Sequence, residues 1–149
     1  MNFLRKIQGI IIYNDFLATI LSMGKVGITL FPFIFIREEL KTNAGIDILI
    51  NHERIHIAQQ VELGIVGLIL AILALVLTGF HWIILLFIPG VFLFLYGLSY
   101  ILQTIMGKDD PYRHVIFERE AYANHTNFTY LETRRMFDFL WNSPEPPTE

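Results

Sequence analysis

From Leu63 to Gly107 the chain carries no Asp, Glu, Lys or Arg, an unbroken run of 45 residues. A helix that crosses a bilayer needs about 20 apolar residues, so the run holds two spans and a short turn. The turn is expected near Thr78-Gly79-Phe80-His81, with the first span at about 63–78 and the second at about 82–105. Trp82 and Tyr100 suit the lipid–water boundaries. Pro89-Gly90 predicts a kink in the second span. A buried soluble hairpin would also hide this surface, but a chain of 149 residues has too little protein to cover two such helices. Composition agrees: 54% of residues are hydrophobic and 17% charged, against about a quarter charged in soluble domains. All 11 Lys and Arg lie outside the run. The positive-inside rule then puts the turn outside and both flanks in the cytoplasm, making this a multi-pass integral membrane protein.

The flanks fit one small domain of residues 1–141. Ile7 to Met23 is apolar but broken by Asn14 and Asp15. It reads as an interfacial amphipathic helix, with a third span as the alternative. No small-residue cleavage site clearly follows, so the start of the chain is expected to be retained. Gly27 to Ile36 is rich in β-branched and aromatic residues, with Pro32 inside it. This predicts one short extended segment near 28–36, an edge strand or irregular, since proline cannot donate to a ladder. A helix is expected from about Asp47, which with Thr42 and Asn43 is a candidate N-cap, through Glu62. Another begins near Phe117 and continues toward Phe139. Residues 142–149 are rich in Pro and Glu and predict a disordered tail. The fold class is mainly α, a helical membrane hairpin with a helical polar site.

The site is predicted from Asn51-His52-Glu53-Arg54-Ile55-His56, which reads H-E-x-x-H. Residues four apart share one helix face, so His52 and His56 aim two imidazoles at one point. Zn²⁺ takes neutral imidazole as a ligand. Glu53 is placed to reach a metal-bound water as general base without ligating the metal. The competing reading is three polar residues on a solvated helix face. The chain has no cysteine, so a thiolate site and a disulfide framework are both excluded. Net charge is -3 with no basic block, so nucleic acid is not an expected partner. At about 1.5 Å per residue, the seven residues from His56 to Leu63 put the site about 10 Å above the span.

The chain here resembles the gluzincin class of zinc metallopeptidases. In that class H-E-x-x-H is followed by a helix reading E-x-x-A-D, whose glutamate is the third ligand. Glu118-Arg119-Glu120-Ala121 fits E-x-x-A, with Tyr122 where aspartate is common. The run His52 to Gln60 also resembles small bacterial membrane zincins with H-E-x-x-H-x-x-Q-Q and a later E-R-E-A. The resemblance covers two short motifs. It implies a membrane zinc metallopeptidase, a hydrolase with Glu118 as third ligand. Glu120 fits E-x-x-A too, and the two glutamates lie about 200° apart on a helix, so only one can face the metal. Tyr122 is a candidate to orient a histidine, and His125 to polarise a substrate carbonyl. The expected partners are the bilayer and a peptide or membrane-protein substrate extended along Phe31 to Ile36, with a homo-oligomer or partner subunit completing the cleft. Two other classes stay open. Glu53-x-x-His56 is half of a di-iron site, as in membrane enzymes of lipid or redox chemistry, and a structural metal would serve a non-catalytic subunit.

Overall fold

The computed structural model describes residues 8–21, 26–78 and 87–145. It is mainly helical with a small sheet. The order is β1 (Ile10–Tyr13), α1 (Asp15–Leu21), β2 (Gly27–Leu30), β3 (Phe33–Ile36), α2 (Ile46–Thr78), α3 (Phe87–Ile105), α4 (Ile116–Asn124) and α5 (Tyr130–Thr133). Single 3-10 turns follow β3 at Glu38–Leu40 and α5 at Asp138–Leu140.

The expected interfacial helix at the N-terminus is replaced, over its described part, by a strand and a short helix. Ile10 to Tyr13 are β-branched and aromatic and pair in parallel with β3, Ile10 opposite Phe33 and Tyr13 opposite Ile36. Asn14, which interrupts the apolar run, starts α1: its Oδ1 accepts the Leu17 N–H at 2.9 Å. The expected single extended segment is a hairpin instead. Phe31 and Pro32 form the turn, and β2 pairs antiparallel with β3, Gly27 opposite Ile36 and Leu30 opposite Phe33. The sheet order is β1-β3-β2. β3 is therefore central and committed on both sides, so Phe31 to Ile36 cannot be the rail for an extended peptide. The outer edge beside α2 belongs to β2.

The sheet packs on the first half of α2. Ile34 and Ile36 meet Ile57, with Leu49, Ile50 and Val61 around them. Helix α2 opens at Ile46 after an Asn43 turn, whose Oδ1 accepts the Gly45 N–H at 2.9 Å. Asp47 lies in its first turn rather than at the cap. The helix has 33 residues, about 50 Å, so it outreaches a hydrocarbon core of about 30 Å.

Beyond Leu63, α2 packs against α3. Leu63 and Phe92 join Val115, Phe117 and Phe139 in one core cluster. Both helices are long and apolar enough to cross a membrane. Their outer faces are apolar and open, with Ile69, Leu73, Phe94 and Ile105 all exposed. The turn expected near Thr78 to His81 lies mostly outside the described residues. Pro89 is the third residue of the described part of α3, and residues 79–86 before it lie outside the described residues.

Helix α4 returns to the first half of α2, and the C-terminal segment locks it there. Arg134 reaches across to Glu62 of α2 and Glu120 of α4, and all three are buried. The Phe137 N–H adds a bond to Glu62 Oε2 at 3.0 Å, and the Tyr130 hydroxyl one to Glu120 Oε1 at 2.8 Å. The expected disordered tail is docked over its described residues. Ser143 donates to the Ile116 carbonyl at 3.1 Å, and Glu145 pairs with Arg119 and His114.

Candidate metal centre

His52 and His56 lie one turn apart on α2, their Nε2 atoms 3.1 Å from each other. Glu118 comes in from α4. Its Oε2 is 3.2 Å from His52 Nε2 and its Oε1 is 3.2 Å from His56 Nε2. A tetrahedral ion with bonds of about 2.1 Å separates its ligand atoms by about 3.4 Å, close to each of these contacts, with the two histidines met by different oxygens of Glu118. All three side chains are buried, and together they form a group that can hold a metal ion. Glu120 points the other way, to Arg134, as the angle between the two positions requires.

The hydrogen bonds around the three groups say what they lack. Gln59 Nε2 donates to the Phe117 carbonyl at 3.0 Å and to Glu120 Oε2 at 2.8 Å. Those partners accept, so the amide oxygen must face His56, where it lies 2.7 Å from Nδ1. His56 therefore carries its proton on Nδ1 and turns the Nε2 lone pair inward, toward His52 and the Glu118 carboxylate. The Tyr96 hydroxyl, from α3, donates to Glu118 Oε1 at 2.9 Å. Glu118 Oε2 is buried with no hydrogen-bond partner. Converging lone pairs and an orphaned carboxylate oxygen are costly unless a cation sits between them. The residues present thus fit a metal. Burial opposes the charged form of Glu118; when no ion is bound and the rings are protonated instead, the His56 and His52 cations outweigh it and hold the carboxyl well below the usual range. Tyr112 lies beside this carboxylate too, and burial followed by the Glu118 charge pushes its hydroxyl far up.

Glu53 is buried next to the group without belonging to it. Its Oε2 accepts the Thr29 hydroxyl of β2 at 2.6 Å. A Cβ at Gly27 would stand 3.1 Å from Glu53 Oε1, so a glycine lets the strand pass this close. Gln60 takes the Thr29 carbonyl at 2.7 Å and the Phe31 N–H at 2.8 Å. Odd-numbered residues of β2 thus turn their backbone groups away from β3 and toward the site side. Asn51 Nδ2 donates to the His125 and Asn127 carbonyls at 2.8 and 3.2 Å, pinning the loop after α4 to α2.

Tyr122 borders His52 through its ring, centroids 4.7 Å apart at 65°, rather than through a hydrogen bond to the imidazole. Burial and then the Glu118 charge raise its hydroxyl. The His125 ring is 6.1 Å from that of His52. Burial, then His52, pull it below its ordinary value. Both residues line the His52 side of the group. His114 is held by Glu145, and His81 lies outside the described residues.

Thr29, Tyr96 and Tyr112 carry no signal in the motif. The Q-Q after H-E-x-x-H is the one hint, and each of its two glutamines has a distinct partner set. No family model, no curated protein and no solved structure matches this chain.

Proposed function

We propose that this chain is an integral membrane zinc metallopeptidase of gluzincin type, working at the cytoplasmic face. The observation that supports it most is the convergence of His52, His56 and Glu118 on one point while Glu53 stands beside it, engaged by Thr29 instead. Two nitrogens and one carboxylate oxygen are a catalytic zinc set, which leaves a fourth position open. A di-iron centre uses two such Glu-x-x-His pairs and further carboxylates. Among the described residues the three-ligand group is the one such cluster.

Zinc held by His52, His56 and Glu118 would supply a Lewis acid and a water acidified to a pKa of about 7. Glu53 takes the water proton on Oε1, the oxygen that Thr29 does not hold, and returns it to the leaving amine. Gln59 keeps His56 in the Nδ1–H form, and Tyr96 holds one oxygen of Glu118. An extended peptide adds to the outer edge of β2 at Gly27 and at the Thr29 N–H, the Thr29 carbonyl being held by Gln60, which brings the peptide's carbonyl past Glu53.

Elemental analysis of the purified chain is the test. Wild type is expected to hold one zinc per chain and His52→Ala none. Glu53→Gln is expected to keep the zinc and to lose cleavage of a quenched-fluorescence peptide library. A metal-free wild type, or full cleavage by Glu53→Gln, would falsify the reading.

A further inference from the structure

The tip of the β2–β3 hairpin exposes its apolar side chains at one end of the sheet. Phe31 is 50% exposed and Phe33 38%, and Ile10, opposite Phe33 on β1, is 55% exposed. Such a cluster of large apolar groups calls for a covering surface. Among the described residues one basic group reaches this end, Arg54 of α2, which donates to the Gln8 carbonyl two residues before Ile10; the acidic groups beside the sheet lie at the opposite end. In sequence, Val26 to Ile36 and Ile7 to Asn14 contain no charged side chain. Asp15, Arg37, Glu38 and Glu39 follow the far ends of β1 and β3, at least three residues or about 10 Å from the tip.

The tip is also tied at a known height on α2. The Gln60 side chain holds the Phe31 N–H and the Thr29 carbonyl. Gln60 precedes Leu63, where the uncharged run begins, by three residues, or about 4.5 Å of helix. The interfacial layer on each side of a hydrocarbon core is about 5–7 Å deep. A loop fixed at that height, aromatic and without charge, therefore sits inside the layer if α2 spans the bilayer.

We infer that the Phe31-Pro32-Phe33 tip, with Ile10, is a third membrane contact that enters the headgroup layer beside the two spans. It rests on the membrane placement of α2 and α3 given above. The contact clamps the sheet, and with it the β2 edge next to Glu53, to the lipid surface. Substrate then reaches the site along the bilayer rather than from bulk water. The occupant is the lipid itself, because Gln60 ties the tip to α2 and the exposed apolar side chains of that helix resume at Ile65 and Leu68, five and eight residues on.

The full chain in phosphatidylcholine–phosphatidylglycerol vesicles tests this. Trp82 and Trp141 are replaced by Phe, and one reporter tryptophan is introduced as Phe31→Trp, Phe33→Trp or, on α3, Phe94→Trp. Lipids brominated near the headgroup end or the methyl end of the acyl chain act as quenchers. The inference expects blue-shifted emission from Phe31→Trp and Phe33→Trp, lost mainly to the shallow bromines, while Phe94→Trp is quenched from within the core. If Phe94→Trp is quenched and both tip reporters are not, the tip contact is wrong and the spans stand. If none is quenched, the membrane placement fails and the inference with it.

Discussion

Between Asn51 and Glu62, α2 buries six polar side chains; beyond Leu63 it exposes apolar ones. Asn51, His52, Glu53, His56, Gln59 and Glu62 are between 0 and 6% exposed. Ile69, Leu73 and Val76 are 60, 54 and 77% exposed. The first half can bury polar groups because other elements supply partners: β2 gives Thr29, α4 gives Glu118 and Glu120, and the C-terminal segment gives Arg134. An unpartnered polar group in that position would cost about 1–3 kcal/mol. The second half needs no partners, because its side chains ask only for an apolar surrounding. One helix thus has two kinds of surface, a polar half inside the protein and an apolar half long enough to cross a membrane, and the change falls between Glu62 and Leu63. The metal group lies on the protein side of that line, one to two turns from it.

The largest effect should come from breaking the polar half where charge is buried deepest. Arg134→Met leaves Glu62 and Glu120 buried without their cation, which costs about 3–5 kcal/mol for a pair broken from one side. Thermal unfolding in detergent should show a large drop in midpoint. Adding Glu62→Gln and Glu120→Gln should restore part of it, since the stranded charges are then gone. An unchanged midpoint in the single variant would mean that α4 is held in place by something else.

In the apolar half, Ile69→Asp distinguishes lipid from water as the surrounding medium. At an exposed position in water such a change is worth about 0.5 kcal/mol or less. Near the centre of a span it costs about 2.5–3.5 kcal/mol. The fraction of chain resistant to alkaline extraction from membranes should fall sharply. Full retention would remove the contrast between the two halves.

How much of this is legible in the sequence follows the same division. The apolar run is local, and length alone gives two helices. The H-E-x-x-H pair is local too, and the angle between Glu118 and Glu120 follows from helix geometry once one of them faces the histidines. What stays hidden depends on distant partners. Thr29 meets Glu53 across 24 positions, Tyr96 meets Glu118 across 22, and Gln59 meets Phe117 across 58. No periodicity encodes such meetings. Ile10 to Tyr13 becomes a strand because β3 is there to pair with it, and Asn14 changes meaning from an interruption to a cap. The Pro- and Glu-rich tail suggests disorder by composition, yet Ser143 and Glu145 find specific partners on α4 and next to it.

Two substitutions sharpen the polar half without breaking it. Gln59→Leu keeps the volume but removes the acceptor for His56 Nδ1–H, freeing the ring to turn its proton inward. Groups that orient metal ligands in this way are worth about 10–100-fold in affinity. Competition with a chromogenic chelator should show zinc affinity down by that range. An unchanged affinity would mean that His56 keeps its tautomer without help.

The smallest effect is expected at Thr29, whose hydroxyl touches Glu53 and no metal ligand. Valine matches threonine in shape and lacks the hydroxyl, so Thr29→Val isolates the single bond that aims the carboxylate. Losing one hydrogen bond to a charged group that acts in the reaction should lower kcat by about tenfold, or ~1.4 kcal/mol. Zinc content should stay at the wild-type level, because the three ligands keep their own partners. Thr29→Ser should recover most of the rate, since it restores the hydroxyl. If the valine variant cleaves as fast as wild type, Glu53 is positioned by its burial alone, and the closeness of β2 to α2 serves packing rather than chemistry.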